Sequence, residues 1–429
     1  MIRIQAVQGI RKKIFNTALR IRVFLYFLFR MLRGKLSLKL FSKVIRRLNY
    51  FLSHVQHNKF VKIGKQVKID LYVPGYPSLP FFRTCGKVCI SEGTFPCLTA
   101  LISITSACRF KCRHCYQKHD RGKDIDIDTL VNAVQLLQDK GVTFFNIEGG
   151  EPFLAYDRLK KVCEATDDRS EIWVNSTGDS MTDVRLRELK GLGLTAVMFS
   201  LHSHDPDEFN SFLGSDRAWD TLSAGIRLCH ENDIPVTFNC CLTRDKFYDG
   251  TFEKVMDKAY EFNGALIQLI KPKPAGGWLE TGIEKFSSDD LNRAKELAAH
   301  YNSSPACTKY PAISAQIIEE DRRVFGCTAG GTDRFYINAK GDVQPCEFLN
   351  ISFGNIGDEP FEDIYSRMRR EFNPPCSDWL CEKYSKEVAE LKTEHNLYSL
   401  PLSPELSKEI YADWDRGEPT ELYKRLYEM

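Results

Sequence analysis

Short apolar runs alternate with amphipathic stretches through residues 99–300 of the chain. The runs are four to six residues long and rich in Val, Ile, Leu and Phe, which is typical of strands buried on both faces. The stretches between them, such as residues 127–140 and 181–192, place apolar residues at helical spacing. This order predicts six βα units and a parallel sheet. The predicted strands are residues 101–105, 143–147, 172–175, 196–201, 236–241 and 266–270.

The first 66 residues follow a different pattern. Residues 23–29 form a solid apolar run between Arg22 and Arg30, but seven residues are too few to cross a bilayer, which takes about 20. No small-residue cleavage site follows the run, so it does not fit a secretory signal. Between residues 36 and 52, apolar residues recur at helical spacing opposite a face of Lys and Arg, which predicts a basic amphipathic helix.

The charge of this segment separates it from the rest of the chain. Residues 1–66 contain sixteen Lys or Arg and no Asp or Glu, whereas the remainder has 43 basic and 57 acidic residues, a net charge of −14. Basic amphipathic helices bind anionic membrane surfaces, so residues 14–52 are a candidate for that contact. Docking of the helix on the protein's own acidic body is an equal alternative. Nucleic acid is not expected as a partner, because the apolar residues are too continuous for an arm that follows phosphates.

Length and composition set the domain organisation. A chain of 429 residues exceeds the usual size of one domain, and 43% apolar residues can fill a large core. We expect a basic helical segment (1–66), a Pro-containing linker or lid (67–98), the βα region (99–300), a cysteine-bearing region (301–385) and a charged helical tail (386–429). Fifteen cysteines in so long a chain do not suggest a disulfide scaffold. Clustered thiols favour a reducing compartment, so we expect a cytoplasmic protein, either free or peripheral on the inner face of the membrane.

Three closely spaced cysteines follow the first predicted strand. Cys108, Cys112 and Cys115 lie on the loop that leaves its carboxyl end, the edge at which α/β barrels place their chemistry. Three thiolates can hold a four-iron cluster and leave one iron open for a small molecule, whereas a structural zinc site normally takes four ligands.

The spacing Cys-x3-Cys-x2-Cys, with His114 at an aromatic position, resembles the signature of radical SAM enzymes. The resemblance implies a 4Fe-4S cluster on Cys108, Cys112 and Cys115 that binds S-adenosylmethionine (SAM) at its open iron. It implies an open (β/α)6 barrel around the substrate, and an electron donor such as flavodoxin or ferredoxin. The implied reaction is one-electron cleavage of SAM to a 5'-deoxyadenosyl radical.

A second motif ends the second predicted strand. Gly149-Gly150-Glu151-Pro152 combines two glycines, which let the backbone approach a ligand closely, with a carboxylate suited to an ammonium group. Its place one βα unit after the cysteines resembles the family's loop for the amino group of SAM. By the same resemblance, Ser176 and Ser200 at the ends of later strands are expected to contact the ribose or carboxylate of the cofactor.

Four more cysteines lie beyond residue 300, namely Cys327, Cys346, Cys376 and Cys381. Cys346 ends a predicted hairpin whose first strand is residues 335–338. Thirteen residues separate Cys327 from Gly341 and four separate Gly341 from Cys346, which resembles the SPASM or twitch extension of radical SAM enzymes. Too few cysteines follow for two clusters, so we expect one auxiliary 4Fe-4S cluster. A zinc ion on the same four thiolates is the alternative, with Cys307 as a spare ligand.

The predicted fold class is therefore α/β, a partial (β/α)6 radical SAM barrel with a basic N-terminal helical segment and a small α+β twitch- or SPASM-like C-terminal domain. The predicted function is hydrogen abstraction from an unactivated carbon of a lipid or lipid-linked membrane substrate, which the basic segment favours. Maturation of a ribosomally made peptide, favoured by the C-terminal cysteines, is one alternative. A non-catalytic iron-sulfur carrier or sensor is the other, and the Gly-Gly-Glu-Pro loop argues against it because a carrier has no use for an amino-acid-binding loop.

Overall fold

The computed structural model describes residues 5–90 and 97–429. Its strands are β1 Gln5–Val7, β2 Phe60–Ile63, β3 Gln66–Lys68, β4 Thr99–Ser103, β5 Phe144–Glu148, β6 Glu171–Ser176, β7 Leu194–Ser200, β8 Val236–Cys241, β9 Leu266–Ile270, β10 Ala312–Ala315, β11 Arg334–Ile337 and β12 Val343–Gln344. Its helices are α1 Gly9–Leu32, α2 Leu38–His54, α3 Leu79–Ile90, α4 Ile127–Asp139, α5 Tyr156–Ala165, α6 Asp183–Gly191, α7 Pro206–Leu213, α8 Ala218–Glu231, α9 Thr251–Glu261, α10 Ser288–Ser303, α11 Gln316–Glu319, α12 Phe361–Phe372, α13 Leu380–Lys383, α14 Ser385–Glu394, α15 Pro404–Tyr411 and α16 Glu421–Glu428.

The large sheet has the strand order β10-β9-β8-β7-β6-β5-β4-β11-β12. The first eight strands of this order run parallel, and β12 is antiparallel to β11. All six predicted strands form, as β4 to β9, and every residue of β4, β5 and β9 is buried. Because both faces of the sheet are covered, these strands could be recognised as largely apolar runs. The predicted α/β barrel is confirmed.

The cysteine-bearing region contributes strands to both ends of this sheet. β10 pairs with β9, and β11 pairs with β4. The predicted hairpin forms as β11 and β12, with Ile337 opposite Val343. Residues 301–385 therefore continue the barrel sheet at both of its ends, and an ion pair between Glu320 and Arg334 joins the two parts.

The N-terminal segment packs on the body of the protein. The inner faces of α1 and α2 form a second hydrophobic core with α3 and α16, built around Leu19, Val23, Phe27, Val44, Leu48, Phe81 and Leu422. The segment is not purely helical, because β1 and β2 pair with each other and with β3. β3 ends at Lys68, and residues 69–73 lie outside any strand. The carboxylate of Asp70 accepts a hydrogen bond of 3.1 Å from the Tyr72 N–H, a local turn that competes with strand pairing.

The outer face of α1 is apolar. Six of its large side chains keep more than half of their surface exposed, namely Ile10, Ile14, Ile21, Leu25, Phe29 and Leu32. At 100° per residue these six positions fall on one side of the helix, with Arg11, Arg22 and Arg33 along one border. A helix of 24 residues makes this stripe about 36 Å long. Within residues 5–90 and 97–429, no helix is both long and apolar enough to cross a membrane.

Candidate functional site

A cavity of about 790 Å³ opens at the carboxyl ends of the barrel strands. Glu148, Ser176, Ser200, Cys241 and Ile270, which end β5 to β9, all line it. The loop after β4 forms another wall with all three of its cysteines. The first cysteine group and the cofactor residues predicted at the strand ends therefore meet at one edge of the sheet.

The thiols of Cys108, Cys112 and Cys115 lie together on this wall. Cys108 is exposed, and Cys112 and Cys115 are half-buried. Burial raises the pKa of the Cys112 thiol, and the neighbouring thiols of Cys115 and Cys108 raise it further. Three thiolates close enough to repel one another are stabilised by cationic iron, so this group fits a soft-metal cluster.

Two neighbouring elements hold the cysteine loop. The N–H groups of Lys111 and Arg113 each donate a 3.1 Å hydrogen bond to carbonyls at the end of α7. On the other side, the N–H of Gly277 donates to the Cys115 carbonyl at 2.9 Å. A Cβ atom at Gly277 would lie 2.1 Å from the Arg113 oxygen, so only glycine permits this approach.

His114 takes an aromatic role inside this loop. Its ring stacks on Phe212 at 4.5 Å and meets the edge of His202 at 4.5 Å. Burial lowers the pKa of His114 to about 4, so the ring is neutral at physiological pH. The side chain packs the loop against the barrel instead of carrying charge.

The Gly-Gly-Glu-Pro loop is joined to the cysteine loop by its backbone. The N–H of Gly150 donates to the Thr105 carbonyl at 2.7 Å, and that of Glu151 donates to the Ala107 carbonyl at 2.8 Å. A Cβ at Gly150 would lie 2.3 Å from the Ala107 oxygen, which explains the requirement for glycine. Both Gly149 and Gly150 line the cavity.

The carboxylate of Glu151 is used inside the protein. It accepts hydrogen bonds from the Ser176 hydroxyl at 2.8 Å, from the Thr177 N–H at 2.8 Å and hydroxyl at 2.6 Å, and from the Phe153 N–H at 3.1 Å. Glu151 is fully buried, as is Pro152, which begins a short 3-10 helix. This differs from the expectation that the Glu151 side chain faces an ammonium group. Its observed role is to fix the loop after β5 to the loop after β6.

Several polar side chains of the cavity were missed by sequence reasoning, namely Tyr116, Asn146, Glu148, Asn175, Asn239, Gln268 and Glu347. Asn146 and Glu148 lie two residues apart on β5, and Asn239, Cys241 and Gln268 take similar positions on β8 and β9. Successive side chains of a strand point to opposite faces, so these residues share the inner face. A polar residue within an otherwise apolar buried strand was the available signal.

The second cysteine group consists of Cys327, Cys346, Cys376 and Cys381. The thiols of Cys327, Cys346 and Cys381 lie near one another. Burial and the carboxylate of Glu347 raise the pKa of the Cys346 thiol, and the thiols of Cys381 and Cys327 raise it further. The fourth predicted ligand is placed differently. The Cys376 carbonyl accepts from the Cys327 N–H at 2.9 Å, but its thiol lies 3.4 Å from the Pro374 oxygen.

Cys307 lies elsewhere, in a 3-10 helix just before β10. Its carbonyl accepts a hydrogen bond of 2.8 Å from Lys59. Since β10 and β9 are parallel, this position is at the amino end of the barrel strands, whereas the cavity is at their carboxyl ends.

Two lysines connect the second cysteine group with the cavity. Lys271 and Lys273 follow β9, line the cavity and donate to the Glu382 carboxylate at 2.8 and 3.1 Å. Their ammonium groups lie 4.0 and 3.7 Å from the centre of the Trp379 ring. Lys273 is also close enough to Cys381 to lower the pKa of that thiol against the larger, opposite effect of burial. The first cysteine group therefore lines the cavity, and the second lies behind the part of the wall that Lys273 and Glu347 form.

Comparison with known proteins agrees with this geometry. Residues 102–259 match the Radical SAM superfamily, and residues 327–384 match the SPASM iron-sulfur cluster-binding domain. The chain belongs to the radical SAM superfamily. It is an enzyme of that superfamily, and its cofactors are SAM, a 4Fe-4S cluster and auxiliary iron-sulfur in the SPASM region.

Two relatives with assigned activities are each less than 25% identical to the chain. The chain is 22% identical over 305 residues to the AdoMet-dependent heme synthase of Nitratidesulfovibrio vulgaris, covering 66% of this chain and 82% of that protein. It is 23% identical over 291 residues to the antilisterial bacteriocin subtilosin biosynthesis protein AlbA of Bacillus subtilis, covering 63% and 59%. The structure of Streptococcus suis SuiB bound to the precursor peptide SuiA matches with a TM-score of 0.53 at 16% identity, covering 64% of this chain and 65% of that one. This structural likeness concerns the fold.

Proposed function

We propose that this radical SAM enzyme cleaves SAM reductively and abstracts hydrogen from a carbon of a substrate held in the 790 Å³ cavity. The observation that supports the proposal is a cavity lined by one cysteine group, with the second group directly behind its wall. Cys108, Cys112 and Cys115 line it directly, and Cys381 is reached through Lys273. A carrier protein needs neither a barrel cavity of this size nor a second cluster beside it.

Individual residues have distinct roles in this proposal. Cys108, Cys112 and Cys115 hold the cluster, which supplies the electron and the open coordination site for SAM. The backbone of Gly149 and Gly150 lies next to the cysteine loop and accepts hydrogen bonds from the amino group of SAM. Ser176 and Ser200 line the cavity at the next strand ends and contact the rest of the cofactor. As in other radical SAM enzymes, an external electron donor is required.

For the auxiliary cluster, the proposed ligands are Cys327, Cys346 and Cys381, whose thiols are mutually close. Cys376 becomes a fourth ligand only if its thiol turns away from the Pro374 oxygen. Lys273 and Arg334 are buried cations beside this group, and Lys273 also lines the substrate cavity.

Anaerobic reconstitution tests the assignment. Replacing Cys108, Cys112 and Cys115 by Ala should halve the bound iron from about eight per chain and abolish 5'-deoxyadenosine formation under dithionite, if each site holds four irons. The matched control is Cys163→Ala, a core cysteine of α5 that is 1% exposed and belongs to neither group. SAM cleavage that survives in the triple variant would show that the catalytic cluster is elsewhere.

For the substrate, we infer an amphiphilic, lipid-linked molecule presented at an anionic membrane surface. The support comes from the outer face of α1, whose six exposed apolar residues and arginine border match the requirements of an interfacial helix. The complete absence of Asp and Glu from residues 1–66 adds attraction to anionic lipid. The protein would then lie peripherally on the membrane.

Peptide maturation is the second candidate. The observations in its favour are the likeness to AlbA, which is named for biosynthesis of the bacteriocin subtilosin, and to SuiB bound to a precursor peptide. The two candidates differ in a measurable way, since substrate stimulates 5'-deoxyadenosine formation above the uncoupled rate. Stimulation by the lipid fraction of a cell extract supports the first candidate, and stimulation by the peptide fraction alone supports the second.

A further inference from the structure

One carboxyl group in the cavity has no role in the function proposed so far. Glu148 ends β5 immediately before Gly149, lines the cavity and is 5% exposed. Its Oε2 atom accepts a hydrogen bond of 3.1 Å from Asn175, and the Tyr116 hydroxyl is close enough to lower the pKa of the same carboxyl. Its Oε1 atom has no hydrogen-bond partner among the described residues.

In the part of the chain that the structure describes, no cation acts on Glu148. Among the described residues, the groups that act on it are the Tyr116 hydroxyl, the Asn175 amide and a second carboxyl, that of Glu347. The nearby lysines are already engaged, because Lys271 and Lys273 share Glu382. Arg334 and Lys273 act on Glu347, whereas no cation among the described residues acts on Glu148, so a cation from outside would stabilise the ionised form of Glu148.

Three other buried oxygen atoms of residues that line the cavity are also hydrogen-bond acceptors without a partner among the described residues. Asn146 Oδ1, Asn175 Oδ1 and Glu347 Oε2 are buried and have no hydrogen-bond partner in the described part of the chain. All three residues line the cavity, and all three atoms accept hydrogen bonds. Buried acceptors are normally paired, so this group of acceptors indicates that the missing partner donates N–H groups.

We propose that the substrate carries a cationic nitrogen, a primary ammonium or a guanidinium, and that Glu148 binds it inside the barrel. The inference rests on the proposed function and names the substrate class of the same cavity. It applies equally to an amine on a lipid-linked molecule and to a basic side chain of a peptide. Glu148 is then a substrate-binding residue beside the reacting carbon.

The raised pKa of Glu148 gives the proposal a second measurable consequence, the release of a proton. Burial raises the pKa of Glu148 to about 8, with a further increase from Glu347, while the Tyr116 hydroxyl and the Asn175 amide oppose it. A bound cation favours the ionised carboxylate, so cation binding near pH 7 should release a proton from the protein. Binding of a neutral ligand of the same shape should release no proton.

The probe is n-butylammonium, with 1-butanol as its uncharged counterpart of similar size. Both are titrated calorimetrically into the anaerobic, SAM-loaded holoenzyme, in two buffers of different ionisation enthalpy to count released protons. We expect saturable butylammonium binding with proton release, at least tenfold tighter than butanol binding. Glu148→Gln should remove the preference and the proton release. Glu164→Gln, an exposed carboxyl on α5, makes the same change in net charge and should keep both.

Three results would overturn the inference. They are equal binding of butylammonium and butanol, absence of saturable butylammonium binding, and loss of SAM binding in Glu148→Gln, which would assign the carboxyl to the cofactor. The wild-type comparison of the two probes stands even if the variant fails to fold. Formation of 5'-deoxyadenosine is measured separately, so an enzyme that cleaves SAM without cation preference refutes only this inference, and one that cannot cleave SAM refutes the proposed function.

Discussion

Replacing Ile21 and Leu25 by Gln should weaken binding of the protein to anionic vesicles about 30-fold. Both side chains lie at the middle of the outer face of α1 and are 54% and 52% exposed. Full burial of such a side chain contributes about 1.5–3 kcal/mol, so the exposed half of each contributes about 1 kcal/mol on entering lipid. The pair therefore contributes about 2 kcal/mol, and each 1.4 kcal/mol corresponds to a factor of ten.

The charged border of α1 predicts a different response to salt. Each Lys or Arg near an anionic surface contributes about 1 kcal/mol, and this contribution is screened, whereas apolar burial is not. Wild-type binding should therefore need anionic lipid and weaken in salt without vanishing. The Gln double variant should keep the salt dependence but bind more weakly at every salt concentration.

Co-sedimentation with phosphatidylcholine vesicles, with and without phosphatidylserine, measures these effects. Val184→Gln on α6, where Val184 is 67% exposed, controls for loss of an exposed apolar side chain. Substitution is preferable to deletion of residues 1–66, because the inner faces of α1 and α2 belong to a hydrophobic core. Equal binding of wild type and double variant, or binding that ignores phosphatidylserine, would refute the membrane proposal and leave peptide maturation as the leading candidate.

Three further tests, with five substitutions in all, address other parts of the structure. Cys346→Ala should lose the auxiliary iron while some uncoupled SAM cleavage continues, whereas Cys376→Ala should retain that iron because its thiol points elsewhere; iron analysis of both variants decides. Gly277→Ala should displace the cysteine loop and lower iron retention during gel filtration, since its Cβ would lie 2.1 Å from a carbonyl of that loop. Phe27→Ala should reduce the free energy of unfolding by about 3–5 kcal/mol in urea titration, while Phe29→Ala, at an exposed position, should cost less than about 1 kcal/mol.

The barrel strands and the β11–β12 hairpin were predictable, whereas β10 and the pairing of β11 with β4 were not. β4 to β9 are largely buried on both faces, so apolar residues dominate each run, with single polar residues such as Asn146 and Gln268 where a strand faces the cavity. β10 and β11 are four residues each, and their partners are set by contacts with distant strands. The pattern of apolar residues in one segment does not show which distant strand that segment pairs with.

The candidate site shows the same difference. Features set by one short segment were predictable, and features set by residues far apart in the sequence were not. Cys108, Cys112 and Cys115 could be assigned because chelation by one loop fixes the spacing of its ligands. The orientation of Glu151 could not, because its donors Ser176 and Thr177 come from the next strand. For α1, the run at residues 23–29 looks uniformly apolar, and only its packing partners decide which side remains exposed.

The hydrophobic core formed by α1, α2, α3 and α16 can be completed only at the end of synthesis, because α16 is made last. α16 supplies Leu422, Tyr423 and Leu426 to the core that buries the inner faces of α1 and α2. At roughly 5–20 residues per second, a ribosome needs about 20–70 s to reach α16 after finishing α2. Throughout that interval the two basic helices lack part of their folding partner and present apolar surface on both sides. We therefore expect the nascent chain to be a client of ribosome-associated chaperones, released when α16 emerges.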